Sequence, residues 1–135
     1  MSEINKNYIG GEWLQGSSEI ENRNPSDLSD LIGLYTQADA DQVATALAAA
    51  NEAQRLWGAT GLEKRYDVLM AVGQEMMARS DELGRLLSRE EGKPFAEGKG
   101  EVFRAGQFFT YFAAEVLRQI GDNADSVRDG IEVDV

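Results

Sequence analysis

The chain has 135 residues, 13 basic against 24 acidic for a net charge of −11, and contains neither cysteine nor histidine. Its length suits one domain, while its charge excludes nucleic acid and anionic membrane surfaces as partners, because their phosphates would repel it. The absence of cysteine excludes disulfides and thiolate metal sites, and no apolar run approaches the ~20 residues of a membrane span. Met1-Ser-Glu-Ile-Asn-Lys6 has neither the basic start nor the apolar stretch of a secretory signal, so the expected compartment is the cytoplasm.

Residues 7–35 read as β and loop. Tyr8, Ile9, Trp13 and Leu14 flank Gly10-Gly11, a dipeptide suited to a tight hairpin. Gly16-Ser-Ser18 and Asn24-Pro25-Ser-Asp27 are turn clusters, and Leu31-Ile-Gly-Leu-Tyr35 predicts a further strand. From about residue 40 the period becomes helical. Asp39-x-x-Gln42 is a capping-box pattern, followed by Val43, Ala46, Leu47, Ala50, Ala53 and Trp57 on one side of a helix rich in alanine. Gly58 and Gly61 bracket its end.

A second capping-box pattern, Thr60-x-x-Glu63, predicts the next helix, with an inner stripe of Tyr66, Leu69, Met70, Gly73, Met76 and Met77. Ser80-Asp-Glu82 reads as a fresh cap with acid in the first turn, and Gly92 and Pro94 close the third helix. A fourth helix is expected from Phe95 to Leu117, about 35 Å long. Its apolar side is broad: Val102, Phe103, Gly106, Phe109, Phe112, Ala113 and Val116, widened by Phe108 and Tyr111. Ile131-Glu-Val-Asp-Val135 alternates as a half-exposed strand would, with no partner strand evident. The fold class is mainly α with short β elements.

Each candidate for chemistry has a structural competitor. Glu90 and Glu91 are adjacent on a helix and point in different directions, which disfavours joint acid–base work. Gly92-Lys93-Pro94 lacks the Ser or Thr of a phosphate loop and reads as a helix stop. Gly98-Lys-Gly100 lies inside a helical pattern, where glycines permit close packing. Gly100, Arg104 and Gln107 share one helix face, either a polar edge lining a channel or a solvated row. Catalytic, cofactor-binding and metal-ligating residues are not identified in this chain.

Taken together in their order, several segments resemble the N-terminal region of the aldehyde dehydrogenase superfamily. They are Tyr8-Ile-Gly-Gly-Glu-Trp13, Asn24-Pro25, the alanine-rich run Asp41–Ala50 with Trp57 and Arg65 downstream, and Glu91-Gly-Lys-Pro94 with Gly100-Glu-Val102 leading to Tyr111-Phe-Ala-Ala-Glu115. The resemblance implies that residues 1–125 are the helical part of an incomplete α/β cofactor-binding domain, and that 126–135 begin an oligomerisation hairpin. It implies a parent enzyme that oxidises aldehydes to acids with NAD or NADP, through a Cys thiolate and a Glu base that this chain does not supply. This chain alone is expected to bind no cofactor. Gly100, Arg104 and Gln107 would line the substrate entrance, and the run from Gly100 to Gln107 is most similar to enzymes of semialdehydes of dicarboxylic acids, such as α-ketoglutaric semialdehyde. The implied partners are the missing C-terminal part or other subunits, with self-association of the isolated chain. The alternative is a stand-alone helical interaction module, or a regulatory subunit, that binds through its apolar helix faces.

Overall fold

The computed structural model describes residues 4–118, 121 and 123–134. Its first hairpin joins β2 (Asn7–Ile9) to β3 (Glu12–Leu14), with Gly10 and Gly11 both at positive φ, 61° and 91°. That pair of left-handed residues gives the turn the twist two short antiparallel strands need, and only glycine adopts it without strain. Tyr8 lies opposite Trp13 with ring centroids 4.9 Å apart, and both rings are exposed.

A second sheet has the order β1-β5-β4, where β1 is Ile4–Asn5, β4 is Ser18–Arg23 and β5 is Leu31–Gln37. The expected strand at 31–35 is therefore central, parallel to β1 and antiparallel to β4. Within the stretch that reads as β and loop, residues 18–23 form a strand that no sequence signal singles out. Ile20 is the strand's single apolar residue, so no apolar alternation marks this exposed edge, and the ladder to β5 supplies the order.

Helix α1 (Ala40–Gly58) starts as expected, with the Asp39 carboxylate accepting from the Gln42 amide at 2.8 Å. Gln42 does not complete the box. Its side chain accepts from Asn7 and donates to the Gln15 carbonyl, which ties α1 to the β2–β3 hairpin. Beyond α1, the Arg65 guanidinium donates to the Gly58 carbonyl and pins the turn, which gives the Trp57…Arg65 spacing a local role.

Two expected caps are absent. Helix α2 (Leu62–Ala78) is capped by Gly61 without a side-chain bond, because the Thr60 hydroxyl donates backwards to the Leu56 carbonyl. Helix α3 (Ser80–Glu91) begins one residue after Arg79, and Ser80 is a buried helix residue rather than a cap. Only Arg79 separates the two helices, held by Glu82 at 2.7 and 2.9 Å and by Glu75 at 3.4 Å. Gly92 ends α3 in the left-handed region, and Pro94 precedes α4 (Phe95–Val116).

The helices meet through glycine. A Cβ on Gly73 would lie 2.7 Å from the Gly106 carbonyl, and one on Gly106 would lie 2.8 Å from the Gly73 carbonyl. Where α3 crosses α4, a Cβ on Gly84 would lie 2.6 Å from Lys99 Cα, and one on Gly98 would meet Ser88 Oγ. Among the described residues the buried apolar side chains are Val102 and Ala113, while the aromatic part of the α4 stripe stays open: Phe103, Phe108, Phe109, Tyr111 and Phe112 are all exposed. On α1, Val43, Leu47, Leu56 and Trp57 are exposed as well.

The end of the chain differs from expectation. Instead of an unpaired strand, β7 (Glu132–Asp134) pairs antiparallel with β6 (Asn123–Asp125); Val135 lies outside the described residues.

The crossing geometry predicts opposite effects for two glycine-to-alanine changes. Gly73→Ala forces backbone against backbone and should cost about 1–3 kcal/mol, outweighing the ~1 kcal/mol of helix propensity it gains. Gly100→Ala, with nothing within 4 Å of a new Cβ, should stabilise by up to about 1 kcal/mol. Urea unfolding followed by helical circular dichroism checks both signs.

Candidate functional site

Helix α4 carries the expected entrance row, and its geometry divides that row. Gly100 and Arg104 lie in one open surface depression with Glu97, Glu101, Ala105 and Phe108. Gln107 is exposed outside that lining, and its carbonyl accepts from the Thr110 hydroxyl at 2.9 Å. Arg104 makes no ion pair with the described residues, whereas its neighbour Glu101 is engaged by Lys93. The depression therefore offers an uncommitted guanidinium beside an aromatic ring.

The motif at the α3–α4 corner serves structure. Lys93 bonds both Glu101 oxygens at 2.7 Å and also pairs with Glu91, so its side chain is only 17% exposed. Hydrogen bonds to Glu101 first, then to Glu91, raise its pKa. An ammonium held this way spans the corner between the two helices and is not available to cradle phosphate. Glu90 turns the other way and accepts from Asn22 at 2.9 Å, so the two adjacent carboxylates face different partners. Close packing holds for Gly98 and not for Gly100, which is open.

An ion pair that no local pattern announced lies at the opposite side of α3. Arg89 donates from Nε and Nη2 to the Asp30 carboxylate at 2.9 and 2.6 Å, and from Nη2 to the Leu31 carbonyl at 3.3 Å. Hydrogen bonding to Arg89 is the largest cause holding the Asp30 carboxyl down to about 2; desolvation opposes it, and Asn24 assists. Arg89 is raised in turn, chiefly by the same bond. The partners are 59 residues apart, so only the tertiary fold could reveal them. Next to them, the Arg85 guanidinium sits 4.4 Å from the Phe95 ring centroid. Among the described residues, no group of three or more His, Cys, Asp or Glu side chains is placed to hold a metal ion.

A helical layer joined by glycine contacts, preceded by a glycine hairpin and a small sheet, is an arrangement shared with a known class of enzyme. The aldehyde dehydrogenase family pattern matches residues 13–133. The chain belongs to the aldehyde dehydrogenase family. It is 34% identical over 118 residues to alpha-ketoglutaric semialdehyde dehydrogenase of Bacillus subtilis, covering 86% of this chain and 24% of that protein. It is 38% identical over 116 residues to the NADP(+) succinate-semialdehyde dehydrogenase of Escherichia coli, covering 84% and 24%. The crystal structure of an E. coli NADP-dependent enzyme superposes with a TM-score of 0.85 at 34% identity, covering 93% of this chain and 26% of that one. A Staphylococcus aureus betaine aldehyde dehydrogenase in complex with NAD+ shares the fold, with a TM-score of 0.86 at 22% identity over 96% of this chain and 27% of that one. This chain corresponds to the N-terminal part of such enzymes and spans about a quarter of the length of the curated relatives it matches.

The Asp30–Arg89 pair predicts an acid-dependent stability. The folded pKa of Asp30 lies below its ordinary 3.8, so the contribution is complete above that value and is lost as the pH falls towards about 2. Asp30→Asn should flatten this part of the acid limb. Thermal unfolding between pH 5 and 2, compared with the unchanged chain, checks it; the Asp30 carboxyl resonance should titrate well below its ordinary 3.8.

Proposed function

We propose that this chain acts as the N-terminal part of an NAD(P)-dependent aldehyde dehydrogenase that oxidises a semialdehyde of a dicarboxylic acid to the acid. Residues 1–125 then form the helical portion of the cofactor-binding domain, and 126–135 contribute to an oligomerisation hairpin. The family's reaction needs a thiolate nucleophile, and this chain has no cysteine. The nucleophile therefore belongs to polypeptide outside these 135 residues, and in this reading so do the base and the contacts to NAD or NADP.

The observation that carries the reading is the surface. A compact monomer of 14.8 kDa exposes about 7,000 Å², and this chain exposes 10103 Å². The phenylalanines of α4 and the apolar positions of α1 are part of that surface, and exposed side chains of this kind are suited to burial against further protein. The partner in this reading is the remaining part of the enzyme, or other subunits, and without it the chain associates with itself. Cytoplasm is the compartment that goes with this reading; no described helix is long and apolar enough to cross a membrane.

Within the same reading, Arg104 in its depression recognises the distal carboxylate of the substrate, with Gly100 leaving room and Gln107 further along the entrance. An uncommitted guanidinium is the chemistry that binds a carboxylate.

The isolated chain should give no sustained NAD(P)H with any aldehyde, and light scattering should return a mass above that of the monomer. Turnover by the chain alone would refute its dependence on other polypeptide. A strict monomer with a sharp unfolding transition would favour the stand-alone interaction module. In the assembled enzyme, Arg104→Ala should lower kcat/KM for an anionic semialdehyde by about tenfold, equivalent to ~1.4 kcal/mol, and leave a neutral aldehyde nearly unaffected. Equal losses on both substrates would remove Arg104 from recognition.

A further inference from the structure

The described residues divide at the α1–α2 turn. On one side, Asn7 and Gln15 hold Gln42 of α1, the Gly16 amide donates to Thr36 Oγ1 at 2.6 Å, and β1 and β4 flank β5. Hairpin, sheet and α1 are thereby one connected body, residues 4–58. On the other side, the glycine crossings join α2, α3 and α4 into a second body, residues 62–116. Between them lies Gly58-Ala-Thr-Gly61, where a Cβ on either glycine would meet nothing within 4 Å.

Away from that turn, the sheet rests on α3. The bonds across the joint are polar. Asp30 accepts from Arg89, Glu90 accepts from Asn22, and the Ser26 hydroxyl donates to the Gly92 carbonyl at 2.7 Å. The loop that supplies Asp30 and Ser26 is internally braced. Asn24 Oδ1 accepts from the Ser26 amide, the Asn24 amide donates to the Asp30 carbonyl, and Arg23 bonds both Glu21 and the Leu28 carbonyl. Asp30 therefore faces Arg89 from α3 and Asn24 from its own loop, while Arg89 also lies near Tyr35 of β5. The side chains of Arg89 and Asp30 keep 41% and 29% of their exposure, so water and salt compete for the pair.

We infer that residues 4–58 swing as a unit about the Gly58–Gly61 turn, held closed against the C-terminal end of α3 by a polar clasp of Asp30–Arg89, Asn22–Glu90 and Ser26–Gly92. Opening breaks these few solvent-accessible bonds together with the Arg65 bond to the Gly58 carbonyl, and leaves both the sheet ladder and the glycine crossings intact. The inference concerns the 135-residue chain itself, in which the apolar faces of α1 and α4 are uncovered. It makes this chain a two-body device in which the loop at 24–30 serves as a tertiary cap on a helix some sixty residues away.

Because the chain has no cysteine, paired labels can be placed cleanly. Glu19→Cys with Gln74→Cys spans the joint, and Gln74→Cys with Ala114→Cys lies within the helical body; all three positions are exposed. Distances between spin labels are measured in the otherwise unchanged chain, in Asp30→Asn, and in the unchanged chain at ~1 M salt, where the screening length falls to ~3 Å. The expected result is a second, longer distance across the joint. Its population should rise roughly two- to fivefold on substitution, the size of an exposed ion pair, and rise again with salt, while the α2–α4 distance stays narrow. A single joint distance indifferent to both changes overturns the inference. So does joint broadening of the two distances, which would mean that the bodies lose structure together. Should Asp30→Asn lose its helical circular dichroism, the salt series on the unchanged chain decides.

Discussion

Contact of backbone with backbone, at Gly73 on Gly106 and at Gly84 on Lys99 and Gly98, is the constraint on which this fold depends. Helices that approach so closely have no room for large side chains between them. The buried set in α2–α4 is accordingly Gly73, Ser80, Gly84, Ser88, Gly98, Val102, Gly106 and Ala113. Layers built this way gain dispersion contacts along the backbone and bury little apolar side-chain area of their own. The phenylalanines of α4 are displaced outward by the same geometry. A stripe too wide for one partner helix thus becomes an exposed face, and the exposure follows from the glycines rather than from any weakness in the apolar pattern.

Polar chemistry does the work that side-chain packing does in most small domains. Lys93 bridges Glu91 and Glu101 to set the corner between α3 and α4, Arg79 bridges Glu75 and Glu82 between α2 and α3, and Arg89 reaches the sheet through Asp30. Each cation sits where one element gives way to the next. Pairs as exposed as these add little net stability; their effect is to select one angle between elements among several that glycine contacts alone would permit.

What was legible in the sequence was local. Gly10-Gly11 announces its hairpin because two adjacent positive φ angles admit almost nothing else, and Asp39 announces α1 because its carboxylate satisfies an amide three residues on. Gly92 before Pro94 marks the stop of α3 for equally local reasons. Where the pattern misled, a competing partner was nearby. Thr60 has a carbonyl four residues behind it, and Ser80 enters a helix so soon after α2 that no free first turn remains to cap. Strand β4 was illegible because an edge strand dressed in Glu and Arg looks like a loop until β5 is beside it. On α4, Gly100 and Arg104 line one depression, while periodicity alone does not show that Gln107 falls outside it or that Lys93 already occupies Glu101. The Asp30–Arg89 and Ser26–Gly92 links join segments about sixty residues apart, beyond any window of periodicity.

The amount of uncovered surface narrows what can cover it. Each protomer of a standard protein–protein complex contributes about 800 Å² to the interface, whereas this chain exceeds the compact expectation by about 3,000 Å². The exposed apolar residues are also spread over several elements: Phe103, Phe108 and Phe112 lie on α4, while Tyr8 of the hairpin shares a depression with Ala46 and Leu56 of α1. A two-fold contact between copies buries one self-complementary patch on each chain, so a single dimer would leave part of this surface wet. A cover that reaches several faces at once has the dimensions of further domains rather than of a second copy, which supports reading the chain as one portion of a larger dehydrogenase subunit. On the proposed reading, self-association of the isolated chain would be the less complete solution, satisfying some faces at the expense of others.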